Sequence, residues 1–129
     1  MNKSALAGFA PLATLGEHWQ VRSQTAAALL AERSVRSIRR SGRIYVAWQD
    51  IWRLEGILAP DPDDYDRLRE PLLRRRDVEA RYGISERTAL RWMSSGELPV
   101  IRLSPRILRL RESELDRLDD LQLGRDGVA

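Results

Sequence analysis

A chain of 129 residues with 43% apolar and 32% charged side chains suits one ordinary globular domain or two very small ones, and excludes a disordered composition. It has no cysteine and a single histidine, His18, which excludes disulfides, thiolate metal sites and any relay built on several imidazoles. The net charge is only +3, but residues 1–58 carry eight basic and four acidic groups, 59–72 two and five, 73–111 ten and four, and 112–129 two and six.

Two basic blocks, each followed by an acidic one, form the electrostatic footprint of a polyanion binder, because neutralised phosphates release counterions. A solvated arginine-rich surface has the same composition, Lys3 being the only lysine. No run approaches the roughly 20 apolar residues that span a membrane. Gly8, Pro11 and Gly16 break the mild apolar start too early for a secretory signal. A cytoplasmic protein is expected.

Residues 1–20 have no clear period and read as a loose arm or an accessory helix packed through Trp19. Ser23 or Thr25 can cap a helix running through Ala26–Leu30. A second helix is predicted over Ser34–Ser41, ended by Gly42, followed by a short β-prone stretch, Arg43–Ala47. Gln49–Leu58 reads as a helix with Ile51, Leu54 and Leu58 on one face. Trp48 and Trp52 are expected in a small core, with an exposed Trp52 as the alternative, a partner anchor.

The stretch Ala59–Asp64, with two prolines and three aspartates, marks a linker or a sharp turn. It lacks the glycine and closing glutamate of a calcium loop. A second module begins after Pro71. Asp77–Tyr82 is a short helix, Gly83 supplies a turn, and Ser85 caps a helix that runs to about Ser94 and stops at Gly96. Leu98–Leu103 and Ile107–Arg111 are strand-like around the turn Ser104-Pro105-Arg106. Glu112–Leu121 is a closing helix with Leu115, Leu118 and Leu121 apolar, and Gly124–Ala129 a frayed tail.

The chain partly repeats. Glu32-Arg33-Ser34-Val35 matches Glu86-Arg87-Thr88-Ala89, Leu30 matches Ile84, Ile38 matches Trp92, Ser41-Gly42 matches Ser95-Gly96, and Ile44 matches Leu98. After a gap at the hairpin, Asp50–Leu54 matches Glu114–Leu118. Two related modules are therefore expected, the first stripped of its hairpin.

Helical spacing puts Ala89, Trp92 and Met93 on one face of the second module's longer helix, with Ile84 behind them. Arg87, Thr88, Arg91 and Ser94 fall on the other, which suits a helix with one face buried and the other presented to a major groove. Ser85 at the helix start caps it, and that terminus attracts phosphate.

The run Asp77–Pro99, which reads DVEARYGISERTALRWMSSGELP, resembles the small winged helix-turn-helix family of excisionases, AlpA-type regulators and the DNA-binding part of MerR-like proteins. The likeness lies in the short helix, glycine turn, Ile84-Ser85 pair, second helix and Gly96-Glu97-Leu98-Pro99 lead into a hairpin, and covers about 50 residues. It implies a mainly α fold with a small β-hairpin wing, built as two tandem helix-turn-helix modules of which the second is a winged helix. The implied division is an N-terminal arm (1–20), a degenerate wingless module (21–58), an acidic linker (59–71), the winged module (72–123) and a tail (124–129).

The resemblance implies double-stranded DNA as the partner, contacted by Ser85, Arg87, Thr88, Arg91 and Ser94 and by the wing arginines Arg102, Arg106 and Arg109, with Arg106 at the tip. Arg74, Arg75 and Arg76 suit a solvated surface equally well. The first module departs from the pattern: Leu29 stands at the turn glycine and Arg39 at the position of Met93. Its Arg33, Ser34, Arg36, Ser37 and Arg40 are expected on a basic helix that contacts adjacent DNA, with a packing or dimerisation surface as the alternative.

No catalytic constellation, Gly-rich phosphate loop or metal spacing is present, so neither an enzyme nor a cofactor is expected. An excisionase-like recombination directionality factor and a transcription regulator of a phage or mobile element fit equally, with an integrase or RNA polymerase as protein partner and weak or DNA-dependent self-association. The small DNA-recognition subunit of a phage terminase, and a helix-turn-helix turned protein antagonist, are the alternatives.

Overall fold

The computed structural model describes residues 8–127. The chain divides between Pro71 and Leu72 into two units, each mainly helical with a small amount of antiparallel β-structure. Residues 1–7 of the expected arm, and Val128 and Ala129 of the expected tail, lie outside the described residues.

In the first unit the order is β1 (Phe9–Pro11), α1 (Leu12–Trp19), α2 (Ser23–Glu32), β2 (Ile38–Arg40), β3 (Arg43–Ala47), α3 (Trp48–Leu54), a 3₁₀ turn (Pro62–Asp64) and α4 (Tyr65–Leu68). The β-branched and aromatic run Ile44-Tyr45-Val46 makes β3 the central strand, with β1 and β2 on either side. Ala10 pairs with Val46, and both are buried. Leu15, Trp19, Ala26, Ile51 and Trp52 are also buried in this unit.

Several expectations for this unit are overturned. Of the two readings of residues 1–20 the loose arm falls and the accessory helix packed through Trp19 stands: α1 buries Leu15 and Trp19 fully, and Phe9–Pro11 adds an edge strand. Neither Ser23 nor Thr25 caps α2. Arg22 occupies the N-cap without a side-chain cap bond. The helix expected over Ser34–Ser41 is absent, because α2 ends there: Ser34 is left-handed (φ 54°), and the Val35 amide returns to the Leu30 carbonyl at 3.0 Å.

The chain then forms a hairpin about Ser41-Gly42, both with positive φ, the geometry a two-residue connection between twisted strands requires. The first module thus has the hairpin it was expected to lack. The correspondence between the units is accordingly different: Gln20 (φ 58°) stands where Gly83 (φ 61°) stands, Arg22 where Ser85 stands, and α2 where the second unit's longer helix stands.

The helix expected over Gln49–Leu58 stops at Leu54, and Leu58 is 76% exposed. Of the linker and the sharp turn expected at the acidic stretch, the turn is the one present. Asp61 Oδ1 accepts the Asp63 amide at the start of the 3₁₀ turn, and Tyr65 stacks on Trp52 with ring centroids 5.0 Å apart. Trp52 stacks in turn on Trp48 (5.7 Å) and donates from Nε1 to the Leu68 carbonyl (3.0 Å). Fully buried, Trp52 presents no anchor to a partner.

His18 is buried and bonded at both ring nitrogens, Nδ1 at 3.1 Å from the Arg69 carbonyl and Nε2 at 2.7 Å from Glu55 Oε2. The same carboxylate oxygen accepts Trp19 Nε1–H at 2.8 Å. His18 is a structural crosslink inside the first unit.

The second unit runs α5 (Arg75–Tyr82), α6 (Glu86–Ser95), β4 (Val100–Ser104), β5 (Ile107–Leu110) and α7 (Glu112–Gly127). The last helix takes in Gly124–Gly127, part of the expected tail. Leu73 joins the β4–β5 ladder through a bridge to Leu110, its amide 2.7 Å from that carbonyl. Val78, Ala89, Met93, Leu98, Leu110 and Leu115 form the core, with Tyr82, Ile84 and Trp92 packed against it. Each fully buried aliphatic of this set contributes about 1.5–3 kcal/mol.

Among the described residues no helix is long and apolar enough to cross a membrane.

Candidate nucleic-acid interface

The axis of the candidate site is α6, whose start and end are set by local chemistry. Ser85 Oγ accepts the Thr88 amide at 3.2 Å, satisfying one of the free amides at the helix start. Gly96, left-handed at φ 88°, ends the helix. Between them Ala89 and Met93 are buried, while Arg87, Leu90, Arg91 and Ser94 are exposed. The core contacts of Ala89 and Met93 therefore orient Arg87 and Arg91 outward.

Two residues expected on that outer face differ from the others. Thr88 is half-buried and its hydroxyl accepts from Ser85 Oγ at 3.1 Å, so it belongs to the cap. Ser94 is exposed but donates to the Arg91 carbonyl of its own helix at 3.2 Å. Glu86 lies 3.5 Å from Arg75.

The hairpin that follows has a tip shaped by Ser104, whose Oγ accepts the amides of Arg106 (3.2 Å) and Ile107 (3.1 Å). This holds Arg106 at the turn, exposed, and Arg102 is exposed on β4. A ladder irregularity lies between Arg102 and Ser104. Arg109 is half-buried and donates from Nη1 to the Leu108 carbonyl at 2.8 Å. Burial lowers its pKa, and the neighbouring Arg74 lowers it further.

A cleft in this unit gathers Arg74, Arg75, Arg76, Arg106 and Arg109 around Leu90, Met93 and Leu108. Arg74 is the N-cap of α5, its amide donating to Asp77 Oδ2 at 2.8 Å. Its Nε is buried with no hydrogen-bond partner. Arg75 is bound to Glu79 at 2.9 Å. The cleft thus collects five arginines near the start of α5, of which Arg75 is already paired with Glu79 and Glu86 and Arg109 with a backbone carbonyl. Sequence reasoning left Arg74–Arg76 open, although their position at the start of α5 was a usable signal.

Arg81, at the other end of α5, is committed to structure. Its Nη2 lies 2.8 Å from both Asp116 and Asp119 on α7, and the Tyr82 hydroxyl is 2.9 Å from Asp119. The hydrogen bond to Asp116 is the largest cause raising the Arg81 pKa above its usual value. Burial, then the bond to Asp119, raises that of Tyr82.

In the first unit the expected contacts do not share a helix. Arg33 is the C-cap residue of α2, Ser34 the left-handed residue after it, and Arg36 and Ser37 lie in the connection to β2, which contains Arg40. The Arg36 side chain is 87% exposed, with Asp50 3.7 Å away. Arg39 and Arg43, not among the named contacts, flank Arg40 and the tip. The two-residue Ser41-Gly42 step before Ile44-Tyr45-Val46 was the signal for a hairpin.

Among the described residues no three His, Asp or Glu side chains are grouped to hold a metal ion. Comparison with protein-family models, curated proteins and solved structures returned no match.

Proposed function

We propose that the chain is a sequence-specific double-stranded DNA-binding protein and that residues 72–127 act as a winged helix-turn-helix. In this reading α5 and α6 are the helix pair, α6 enters the major groove, and the β4–β5 hairpin is the wing. The observation that carries the reading is α6 itself: Ala89 and Met93 lock one face into the core while Arg87 and Arg91 stand exposed on the other. A basic hairpin follows at once. Arginine forks onto guanine O6 and N7 or onto a phosphate, while Arg106 and the cleft arginines suit the backbone beside the groove. The biological role proposed is that of an excisionase-like directionality factor or a transcription regulator of a mobile element, acting with an integrase or RNA polymerase.

The test is selection of a site from a random duplex library by the full chain, followed by titration of the selected site. A defined consensus is expected, bound far more tightly than scrambled duplex. Equal affinity for consensus and scrambled duplexes would sink sequence-specific binding.

A further inference from the structure

We propose that the β2–β3 hairpin of the first unit is a second DNA contact, one that grips the two phosphodiester strands across a minor groove and adds affinity without reading bases. The inference rests on the DNA reading above and extends it to a part of the chain that makes its contact by a different element.

The first argument is where the cations lie. The second helix of the second unit exposes Arg87 and Arg91. Its counterpart α2 exposes Ser23, Gln24, Ala28, Ala31 and Glu32, and no basic residue occurs between Ser23 and Glu32. Within α2 no side chain can fork onto a guanine or a phosphate; the nearest cations, Arg22 and Arg33, stand at its two caps. The densest group of cations in this unit sits instead on the hairpin and the connection leading into it, where Arg36, Arg39, Arg40 and Arg43 are all exposed.

The second argument is that these charges are uncompensated. Among the described residues Arg39, Arg40 and Arg43 have no carboxylate within ion-pair distance, and Arg36 has only Asp50 at 3.7 Å. Like charges directly opposite on paired strands destabilise a sheet, and Arg40 pairs with Arg43 in register. A polyanion laid against the hairpin attracts both cations and offsets that repulsion.

The third argument is shape. Successive side chains on a strand point to opposite faces, so Arg39 and Arg40 project to the two sides of the ribbon. The tip between Arg40 and Arg43 is Ser41-Gly42, nearly the smallest pair available. A narrow tip with cations on both flanks matches a minor groove about 6 Å wide, whose phosphates lie on either side and whose base edges carry a degenerate pattern. Ser41 and Gly42 provide little to read those edges with.

The test uses the full chain and its selected site. The triple variant Arg39→Ala, Arg40→Ala, Arg43→Ala alters exposed side chains, and an unchanged melting temperature establishes that it folds. Titration over a range of salt is expected to give binding on the order of 10- to 100-fold weaker, with the log–log salt slope reduced by about 2–3. The rank order of affinities for base-substituted sites should be unchanged. Hydroxyl-radical footprinting should show the loss of one protected minor-groove segment, and the triple lysine variant should restore most of the slope. A folded triple alanine variant with wild-type affinity and slope overturns the hairpin contact and leaves the second unit's reading standing. An altered base preference overturns its positioning role. Absence of salt-dependent DNA binding by the unmodified chain overturns both proposals together.

Discussion

Arg91 and Arg106 are exposed at two different elements of one unit. Replacing either by alanine removes a charge without opening a cavity, so folding should be unaffected. For Arg91→Ala the loss of affinity for the selected site should be about 1–3 kcal/mol with relaxed preference at one base pair. For Arg106→Ala the loss should be similar for every sequence and should lower the salt slope by about 1. A competition series with singly substituted duplexes separates the two outcomes. Both arginines were legible in the sequence, because helical spacing and hairpin position decide exposure there. Thr88 was not, because spacing cannot say that a hydroxyl will bind the cap. Tyr82 supports a different measurement. Burial and the Asp119 contact raise its pKa above the ordinary phenol value of about 10. The neutral hydroxyl is thus favoured in the folded state, its contribution is complete below about pH 10, and it is lost as pH rises through the folded value. Tyr82→Phe should remove that alkaline loss in denaturant unfolding followed by far-ultraviolet circular dichroism.

At the level of elements the two units show why one was easier to read. The second is punctuated locally: Ser85 starts α6, Gly96 ends it, and Ser104 closes the hairpin turn. In the first, Arg22 starts α2 without a side-chain cap, and its left-handed residues include Gln20, Ser34 and Ser41, so the punctuation is hidden. The equivalent turn positions Gln20 and Gly83 test this directly. A left-handed conformation costs a residue with a Cβ about 1–2 kcal/mol. Gly83→Ala should therefore lower stability and Gln20→Gly raise it, each by about 0.5–1 kcal/mol once the chain entropy of glycine is set against the strain. Opposite signs in denaturant unfolding are the expected result. The buried His18–Glu55 pair was hidden in another way, since its members are distant in sequence and meet only through packing. Glu55→Ala leaves His18 and Trp19 without that partner and should cost about 3–5 kcal/mol.

Over the whole molecule the charge blocks sort by use. The acidic groups at 59–72 include Asp61, which starts a 3₁₀ turn, and those of the last helix include Asp116 and Asp119, which hold Arg81. The arginines of residues 73–111 gather largely at one cleft and on α6. On the proposed reading, with several phosphates neutralised, the affinity of the intact chain should fall steeply between about 50 and 200 mM salt, by up to three orders of magnitude or more. Anisotropy titrations at four salt concentrations check it, and a flat response would mean that the arginines face solvent only. By itself the sequence determined the boundaries of α6, the hairpin after it and the segregation of charge, because each rests on residues within a few positions of one another. Only the tertiary structure decided that Phe9–Pro11 is a strand and that Ile38–Arg40 pairs with β3, because strand pairing depends on partners elsewhere in the chain. It also brought Arg74–Arg76 together with Arg106 and Arg109, since no local pattern reports which helix terminus a hairpin will fold beside.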